Sequence, residues 1–228
     1  KQSELPVMAV FDGMGGESCG EMAAFLAAES CGMHYKEQKE RVRREGDRFL
    51  IEACEKMNQA VCNYGTENRI DSMGTTAAML AFGDDIIYGS NLGDSRIYRS
   101  SSGKFGQISE DHILGRHFLG KAPLTQYLGM KEEDLQLVPS VSGYPIIEGD
   151  RYLICSDGIT DMLSDGEIAD IFTREISTEE TVQVLVERAL KKGGRDNITV
   201  ILCEIEKQNE NWWKRMWHQL KRHEGDIS

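Results

Sequence analysis

The sequence contains no apolar run that approaches the roughly 18 to 20 residues of a membrane-spanning helix, and no secretory leader opens it. Its six cysteines form no C-x-x-C pair and are scattered through apolar stretches. These absences argue against a membrane protein, a zinc site and a disulfide framework. We therefore expect a cytoplasmic protein whose cysteines are reduced core residues.

Basic residues are also scarce, because 26 Lys and Arg stand against 38 Asp and Glu and give a formal net charge of −12. Clustered Lys and Arg drive binding to a nucleic-acid backbone, so this composition argues against nucleic acid as a partner. An acidic protein is instead suited to holding cations. Only four prolines occur, and the 228-residue length suits one well-buried domain.

Apolar residues recur at helical spacing in two early segments and two late ones. We predict helices over 18–31, 47–64, 164–173 and 178–192. Ser177 and Glu180 form a capping box at the start of the last helix, and Ser164 is the candidate N-cap of the helix before it.

The remaining apolar segments are short, rich in β-branched and aromatic residues, and separated by Gly, Asp and Ser. We predict strands over 6–11, 73–82, 85–93, 95–109, 134–142, 150–158 and 197–205, with turns at 83–85 and 100–103. Helices early and late, with strands between them and at both ends, predict an α+β domain in which helices cover antiparallel sheets.

Four aspartates lie at the ends of predicted strands, close to glycine or another small residue: Asp12, Asp94, Asp157 and Asp196. In antiparallel neighbours, the end of one strand and the start of the next share an edge, so these acids can converge. Two carboxylates about 4 Å apart repel by roughly 4 kcal/mol at an effective dielectric of 20. Oxygen ligands without His or Cys select a hard cation such as Mg²⁺ or Mn²⁺, which offsets that repulsion.

The same Asp-Gly pairs are also typical of ordinary turns, and only their joint pattern favours a metal site. The glycines would leave room for a backbone carbonyl and for metal-bound water. Cys155 is an alternative nucleophile, but no glycine-rich loop with an arginine follows it, so we predict a buried strand cysteine. The five histidines lack metal-ligand spacing, and we expect most of them at the surface, with His112 structural in its EDH turn.

Seven segments complete the sequence signal. They are VFDGMGG (10–16), MGTTAAML (73–80), GSNLGDSRIY (89–98), SEDH (109–112), LTQYLG (124–129), LICSDGITDML (153–163) and GGRDNITVIL (193–202). In this order they resemble the motif series of the metal-dependent serine/threonine phosphatases, the protein phosphatase 2C family. The resemblance covers about residues 6–205, and Met14 resembles the bacterial branch, since the eukaryotic branch has a histidine after the Asp-Gly pair.

The resemblance implies a four-layer α-β-β-α sandwich, in which helix pairs flank two antiparallel sheets and two Mn²⁺ or Mg²⁺ ions lie at one end. Matched residue by residue, Asp12 would bridge the ions and Gly13 would offer its carbonyl oxygen. Asp157 and Asp196 would complete the ligand set of the first ion, and Asp94 with Asp157 would suit a third, more weakly bound ion. Asp12, Asp157 and Asp196 are therefore the candidate catalytic residues, because two ions lower the pKa of a bridging water that attacks phosphorus in line.

On this interpretation the protein hydrolyses phosphoserine and phosphothreonine in proteins, opposing a bacterial Ser/Thr kinase and acting on that kinase and its substrates. Family members carry an upstream segment with a substrate-binding arginine and a further acidic ligand. The eleven residues before Asp12 contain no arginine and a single acid, Glu4. We therefore expect the first strands to be missing from the catalytic domain at 1–206. A regulatory or binding module without turnover is the alternative.

Two segments carry no family assignment. Only residues 113–123 remain where the family places a flap over the substrate. In the tail, residues 207–228, three tryptophans share one helical face with Met216 and Leu220, and basic residues lie nearby. Such a basic amphipathic tail can lie at a membrane interface, pack on its own domain or contact another chain, and the sequence leaves these alternatives open.

Overall fold

The computed structural model describes residues 7–14, 17–70, 72–115, 122–131 and 136–206. The strands are β1 (Val7–Val10), β2 (Gly13–Met14), β3 (Gly74–Thr75), β4 (Ala77–Phe82), β5 (Ile86–Leu92), β6 (Arg96–Ser101), β7 (Lys104–Gln107), β8 (Ser140–Pro145), β9 (Arg151–Cys155) and β10 (Val200–Glu204). The helices are α1 (Glu17–Arg44), α2 (Gly46–Glu67), α3 (Asp157–Thr160), α4 (Asp165–Phe172) and α5 (Thr178–Lys191). Glu4, the centre of the shortened flap at 116–121 and the tail at 207–228 lie outside the described residues.

Two antiparallel four-stranded sheets form the centre of the fold, with strand orders β1-β4-β5-β8 and β10-β9-β6-β7. Strands β2 and β3 pair separately. Apolar side chains from both sheets form a buried layer between them: Val10, Ala78, Leu80, Ile87, Ile97, Tyr152 and Ile154. Burial of such side chains is the main contribution that holds the two sheets together.

Helices cover the outer face of each sheet, which confirms the predicted four-layer sandwich. Helices α1 and α2 pack on the first sheet, where Phe49 shares a buried cluster with Met79. Helices α4 and α5 pack on the second sheet, where Phe172 and Leu185 share a cluster with Leu153. In the described ranges, no helix has both the length and the apolar character needed to cross a membrane.

The helix starts that were predicted from capping residues are confirmed. The Ser177 hydroxyl accepts a hydrogen bond from the Glu180 N–H at 3.1 Å, and the Glu180 carboxylate accepts one from the Ser177 N–H at 3.2 Å. Ser164 and Glu167 form the same reciprocal pair at the start of α4. These bonds satisfy N–H groups that the first turn of a helix leaves without partners.

Three predicted elements differ from the structure. The helix predicted over 18–31 continues to Arg44, through a non-helical residue at Gln38. Residues 32–44 are mostly charged and keep one buried apolar side chain, Val42, so the sequence of this part shows no apolar helical face. The strand predicted over 134–142 is displaced along the chain: residues 136–139 form no strand, and β8 runs from Ser140, where it pairs with Asn91 of β5, to Pro145. The strand predicted over 150–158 ends earlier, at Cys155, and the short helix α3 begins at Asp157.

His34 is an exception among histidines that were expected mostly at the surface, because it is buried between α1 and α2. Only 2% of the residue is exposed, and its ring stacks on Phe49 with the ring centroids 4.9 Å apart. Its Nε2 lies 3.8 Å from a carboxylate oxygen of Glu52. Removal of the ring from water disfavours the charged form and lowers the pKa of His34.

This lowered pKa predicts that acid destabilises the domain through His34. The unfolded chain, whose histidine pKa is about 6.5, binds a proton that the folded chain resists, so the contribution of His34 to stability is present above that pH and is lost as pH falls below it. Replacement by phenylalanine, which fits a stacked apolar site, is expected to flatten the dependence of the unfolding free energy on pH between about 7 and 5. Urea unfolding at several pH values measures it, and identical slopes for both proteins would contradict the assignment.

Candidate metal centre

Two of the predicted aspartates follow the ends of strands in the first sheet. β1 ends at Val10, opposite Ala78 near the start of β4, and Asp12 lies two residues beyond. β5 ends at Leu92, opposite Ala77, and Asp94 lies two residues beyond. Both aspartates therefore leave the sheet at the same edge, which we call the aspartate edge.

The other two aspartates flank strands of the second sheet at its corresponding edge. Cys155, the last residue of β9, pairs with Arg96 at the start of β6 and with Val200 at the start of β10. Asp157 comes two residues after Cys155, and Asp196 precedes Val200 in the loop after α5. Because β5 connects to β6 through only residues 93–95, the two sheets share the aspartate edge. The opposite edge contains the starts of β1 and β9 and the end of β10.

The Asp12 backbone is fixed by Thr76. The Asp12 N–H donates to the Thr76 hydroxyl at 3.1 Å, and the Thr76 N–H donates to the Asp12 carbonyl oxygen at 2.9 Å. The Thr76 hydroxyl also lies 2.7 Å from the Ser95 hydroxyl, directly after Asp94. Through these bonds Thr76, which is buried, links the loops of Asp12 and Asp94.

Gly13 has a structural reason beyond the one that the sequence suggested. A Cβ atom on Gly13 would lie 2.0 Å from the carbonyl oxygen of Gly20, in the first turn of α1. A Cβ atom on Gly20 would lie 2.8 Å from the carbonyl carbon of Gly13. The two glycines thus let α1 pack directly against the backbone that follows Asp12.

The loops of Asp157 and Asp196 are in direct contact. The Ser156 hydroxyl accepts from the Thr199 N–H at 3.1 Å and donates to the Asn197 carbonyl oxygen at 3.2 Å. A Cβ atom on Gly158 would lie 2.2 Å from that same oxygen. Asp157 is 6% exposed, whereas Asp196 is exposed and accepts a hydrogen bond from the Asn197 N–H at 2.8 Å.

The arginine of the GDSR segment has carboxylate partners. Arg96 Nε lies 3.0 Å from both carboxylate oxygens of Asp111, and a terminal nitrogen donates to one of them at 2.6 Å. Its other terminal nitrogen reaches Asp165 at 3.2 Å, as does the Tyr98 hydroxyl at 2.7 Å. This bidentate geometry fixes the start of β6, so Arg96 has a structural role.

Cys155 is buried in β9, as predicted. Burial raises the pKa of its thiol to about 12, so the nucleophilic thiolate is not formed near neutral pH. The structure therefore gives no support to a cysteine-based mechanism, and the aspartate edge remains the candidate for chemistry.

The donors at the aspartate edge are all oxygen atoms, and this set fits a hard divalent cation. Among the residues that the structure describes, no three His, Cys, Asp or Glu side chains are grouped closely enough to hold a metal ion. The structure thus brings the four aspartate loops to one edge without itself forming the ligand set. Asp12, Gly13, Asp94, Asp157 and Asp196 remain predicted ligands.

Sequence reasoning missed three neutral residues that hold these loops, namely Thr76, Ser95 and Asn91. Thr76 lies in the segment MGTTAAML and Asn91 in GSNLGDSRIY, but a threonine or asparagine in a strand pattern does not reveal its hydrogen-bond partners. His112 was predicted to be structural, and its contact with Gly93 confirms this. Burial lowers the pKa of His112, which favours the neutral ring that this contact needs.

Comparison with known proteins identifies similar sequences. A family model described as Protein phosphatase 2C matches residues 1–193. Protein phosphatase PhpP of Streptococcus pneumoniae is 30% identical over 212 residues, which cover 87% of this chain and 85% of that protein. The serine/threonine phosphatase stp of Listeria welshimeri is 30% identical over 214 residues, which cover 87% of this chain and 84% of that protein.

Solved structures share the fold. The Mycobacterium tuberculosis serine/threonine phosphatase PstP/Ppp matches with a TM-score of 0.77 and 26% identity, covering 89% of each chain. The catalytic domain of the phosphatase PstP in complex with two manganese ions matches with a TM-score of 0.75 and 28% identity, covering 89% of this chain and 88% of that one.

Proposed function

The chain belongs to the protein phosphatase 2C family as a serine/threonine phosphatase of bacterial type, and we propose that it hydrolyses phosphoserine and phosphothreonine in proteins with two Mn²⁺ or Mg²⁺ ions at the aspartate edge. The observation that carries the proposal is the strand register, which brings four aspartate loops to that edge. A related phosphatase that holds two manganese ions supports the same chemistry.

We assign the two ions to Asp12, the Gly13 carbonyl oxygen, Asp157 and Asp196, and a third, weaker ion to Asp94 with Asp157. When bound, the ions would acidify an attacking water and neutralise charge on the phosphoryl oxygens. The aspartates provide negative charge on separate loops, so that cations can offset a repulsion that would otherwise push the loops apart.

The other residues of the aspartate edge hold the aspartate loops in place. Thr76 holds the Asp12 backbone through both its amide and its hydroxyl. Ser156 bonds to the loop after Asp196, and Gly158 permits that loop to approach α3. Rigid placement of charged groups lets them stabilise the transition state without rearranging during the reaction.

The substrates that fit this proposal are phosphorylated proteins, including a bacterial Ser/Thr kinase and the proteins it phosphorylates. We also propose a cytoplasmic location, which the buried thiols of Cys31, Cys54 and Cys155 support. The contact of the 207–228 tail with a membrane surface or another chain stays a prediction.

Metal dependence tests the proposal. Protein expressed from its full gene should hydrolyse an aryl phosphate and a phosphothreonine peptide only with Mn²⁺ or Mg²⁺, with a matched phosphotyrosine peptide as the comparison substrate. EDTA should abolish turnover, and excess Mn²⁺ should restore it, because the assigned ligands hold exchangeable hard cations. Turnover that resists EDTA would overturn the metal mechanism. A protein that binds Mn²⁺ without turnover would instead support the regulatory or binding module.

A further inference from the structure

Asn91 lies at the end of β5, three residues before Asp94, and it is 1% exposed. Its side-chain amide donates two hydrogen bonds, to the carbonyl oxygens of Gly93 at 3.0 Å and Glu110 at 2.8 Å. A buried amide that spans two backbone carbonyls fixes both of them, because either carbonyl would lose a hydrogen bond by moving. Asn91 thereby ties the loop of Asp94 to the SEDH segment.

His112 holds the other side of Gly93. The Gly93 N–H donates to His112 Nδ1 at 3.3 Å, and the backbone N–H of His112 donates to the Gly93 carbonyl oxygen at 2.9 Å. The second ring nitrogen of His112 lies 2.9 Å from the Ser140 hydroxyl of β8. The ring is therefore anchored at both nitrogens, and both backbone groups of Gly93 have side-chain or backbone partners.

A side chain at position 93 would be strained. The φ of Gly93, +99°, is unfavourable for residues with a Cβ atom, and an added Cβ would lie 2.7 Å from Thr76 Cγ2. Because Thr76 also binds the Asp12 backbone, the held glycine connects Asp94 to Asp12 through packed and hydrogen-bonded atoms. The Asn91 amide and the His112 backbone N–H hold the carbonyl of the peptide that leads directly into Asp94, and the His112 ring holds the N–H of the peptide before it.

Asn91 also lines a small cavity, of about 10 Å³, whose wall combines the apolar side chains of Ile97 and Ile108 with four serines, Ser90, Ser109, Ser140 and Ser142. Its Oδ1 is buried without a hydrogen-bond partner among the protein atoms. A cavity of this size accommodates at most about one water molecule. This gives a reference position, Ser142, which lines the same cavity but makes no hydrogen bond to Gly93.

We propose that Asn91 and His112 are positioning residues that hold the Gly93 peptide so that the Asp94 carboxylate faces a divalent cation at the aspartate edge. The inference rests on the proposed metal centre. Groups that orient a metal ligand from behind commonly change metal affinity by about 10- to 100-fold when they are removed.

Calorimetric titration of the full chain with Mn²⁺ tests this inference. Asn91→Asp keeps the shape of the side chain but replaces the two donors with an oxygen that repels the two carbonyls. We expect it to weaken by about 10-fold the Mn²⁺ binding that Asp94→Asn removes, and to leave the tighter binding unchanged. In the Asp94→Asn background, the second substitution should have no further effect. Ser142→Ala is the matched control and should bind Mn²⁺ as the wild type does.

A second variant, His112→Gln, should weaken the same binding, and the unfolding midpoint in EDTA shows for each variant whether the metal-free domain is folded. Wild-type affinity in folded Asn91→Asp and His112→Gln, or equal losses with and without Asp94, would overturn the positioning role alone. Absence of any Mn²⁺ binding by the wild type would overturn the metal centre and this inference with it.

Discussion

Replacing Asp157 by asparagine is expected to lower kcat/KM for phosphopeptide hydrolysis by about 10³-fold, the order seen when one preorganised electrostatic group is removed from an active site. Asp157 is 6% exposed and follows β9 at the aspartate edge. Because asparagine has nearly the shape of aspartate, the substitution removes one negative charge there with little change in packing. Because the negative charge of the Asp157 carboxylate attracts the cations, we expect the variant to need a higher Mn²⁺ concentration for its residual activity.

The matched control is Asp85→Asn, the same chemical change at an exposed turn between β4 and β5, at the opposite edge of the sheet. This control should retain wild-type kcat/KM. Steady-state kinetics across a range of Mn²⁺ concentrations measures both variants. If Asp157→Asn kept its activity to within twofold, the assignment of Asp157 to the metal centre would be wrong.

Replacing Gly158 by alanine is expected to lower kcat/KM by about 100-fold, because a misplacement of about 1 Å in an active site has effects of that order. The added Cβ would lie 2.2 Å from the Asn197 carbonyl oxygen. Backbone on one side must shift, and that shift separates the loop of Asp157 from the loop of Asp196. No charge or ligand is removed, so the loss would report the position of the two loops.

Gly166→Ala provides the control for this prediction, because Gly166 lies in α4 and its added Cβ would meet no atom within 4 Å. There the change should leave activity unaltered and raise the unfolding free energy by up to about 1 kcal/mol, since alanine favours the helix. Kinetics and urea unfolding of both variants make the comparison. Equal activity of Gly158→Ala and Gly166→Ala would show that the close approach to Asn197 has no role in the site.

The sequence-based predictions succeeded where a local pattern decides the structure. Ser177 and Glu180 act within one helical turn, so their capping box could be read without knowledge of the rest of the fold. The aspartate positions were also predictable, because each follows or precedes a strongly apolar strand. Their arrival at one edge required only that neighbouring strands run antiparallel.

Other features depend on contacts between distant residues, which the sequence does not display. β8 contains serine and glycine and is only partly buried, so its position follows from pairing with β5 rather than from its own pattern. The contact of Gly13 with Gly20 and that of Gly158 with the Asn197 carbonyl exist only in the folded chain. The hydrogen bonds of Asn91 to Glu110 and of Gly93 to His112 likewise join segments 19 residues apart.

The antiparallel arrangement also determines how the molecule can be attached to a support. β1 begins at Val7, opposite Ala81, and β10 ends at Glu204, opposite Arg151, so both ends of the described domain lie at the edge away from the aspartates. A biotin tag or fusion partner joined next to either end is therefore anchored on the far side of both sheets. Protein captured in this way presents its aspartate edge to the solution, where phosphopeptides arrive.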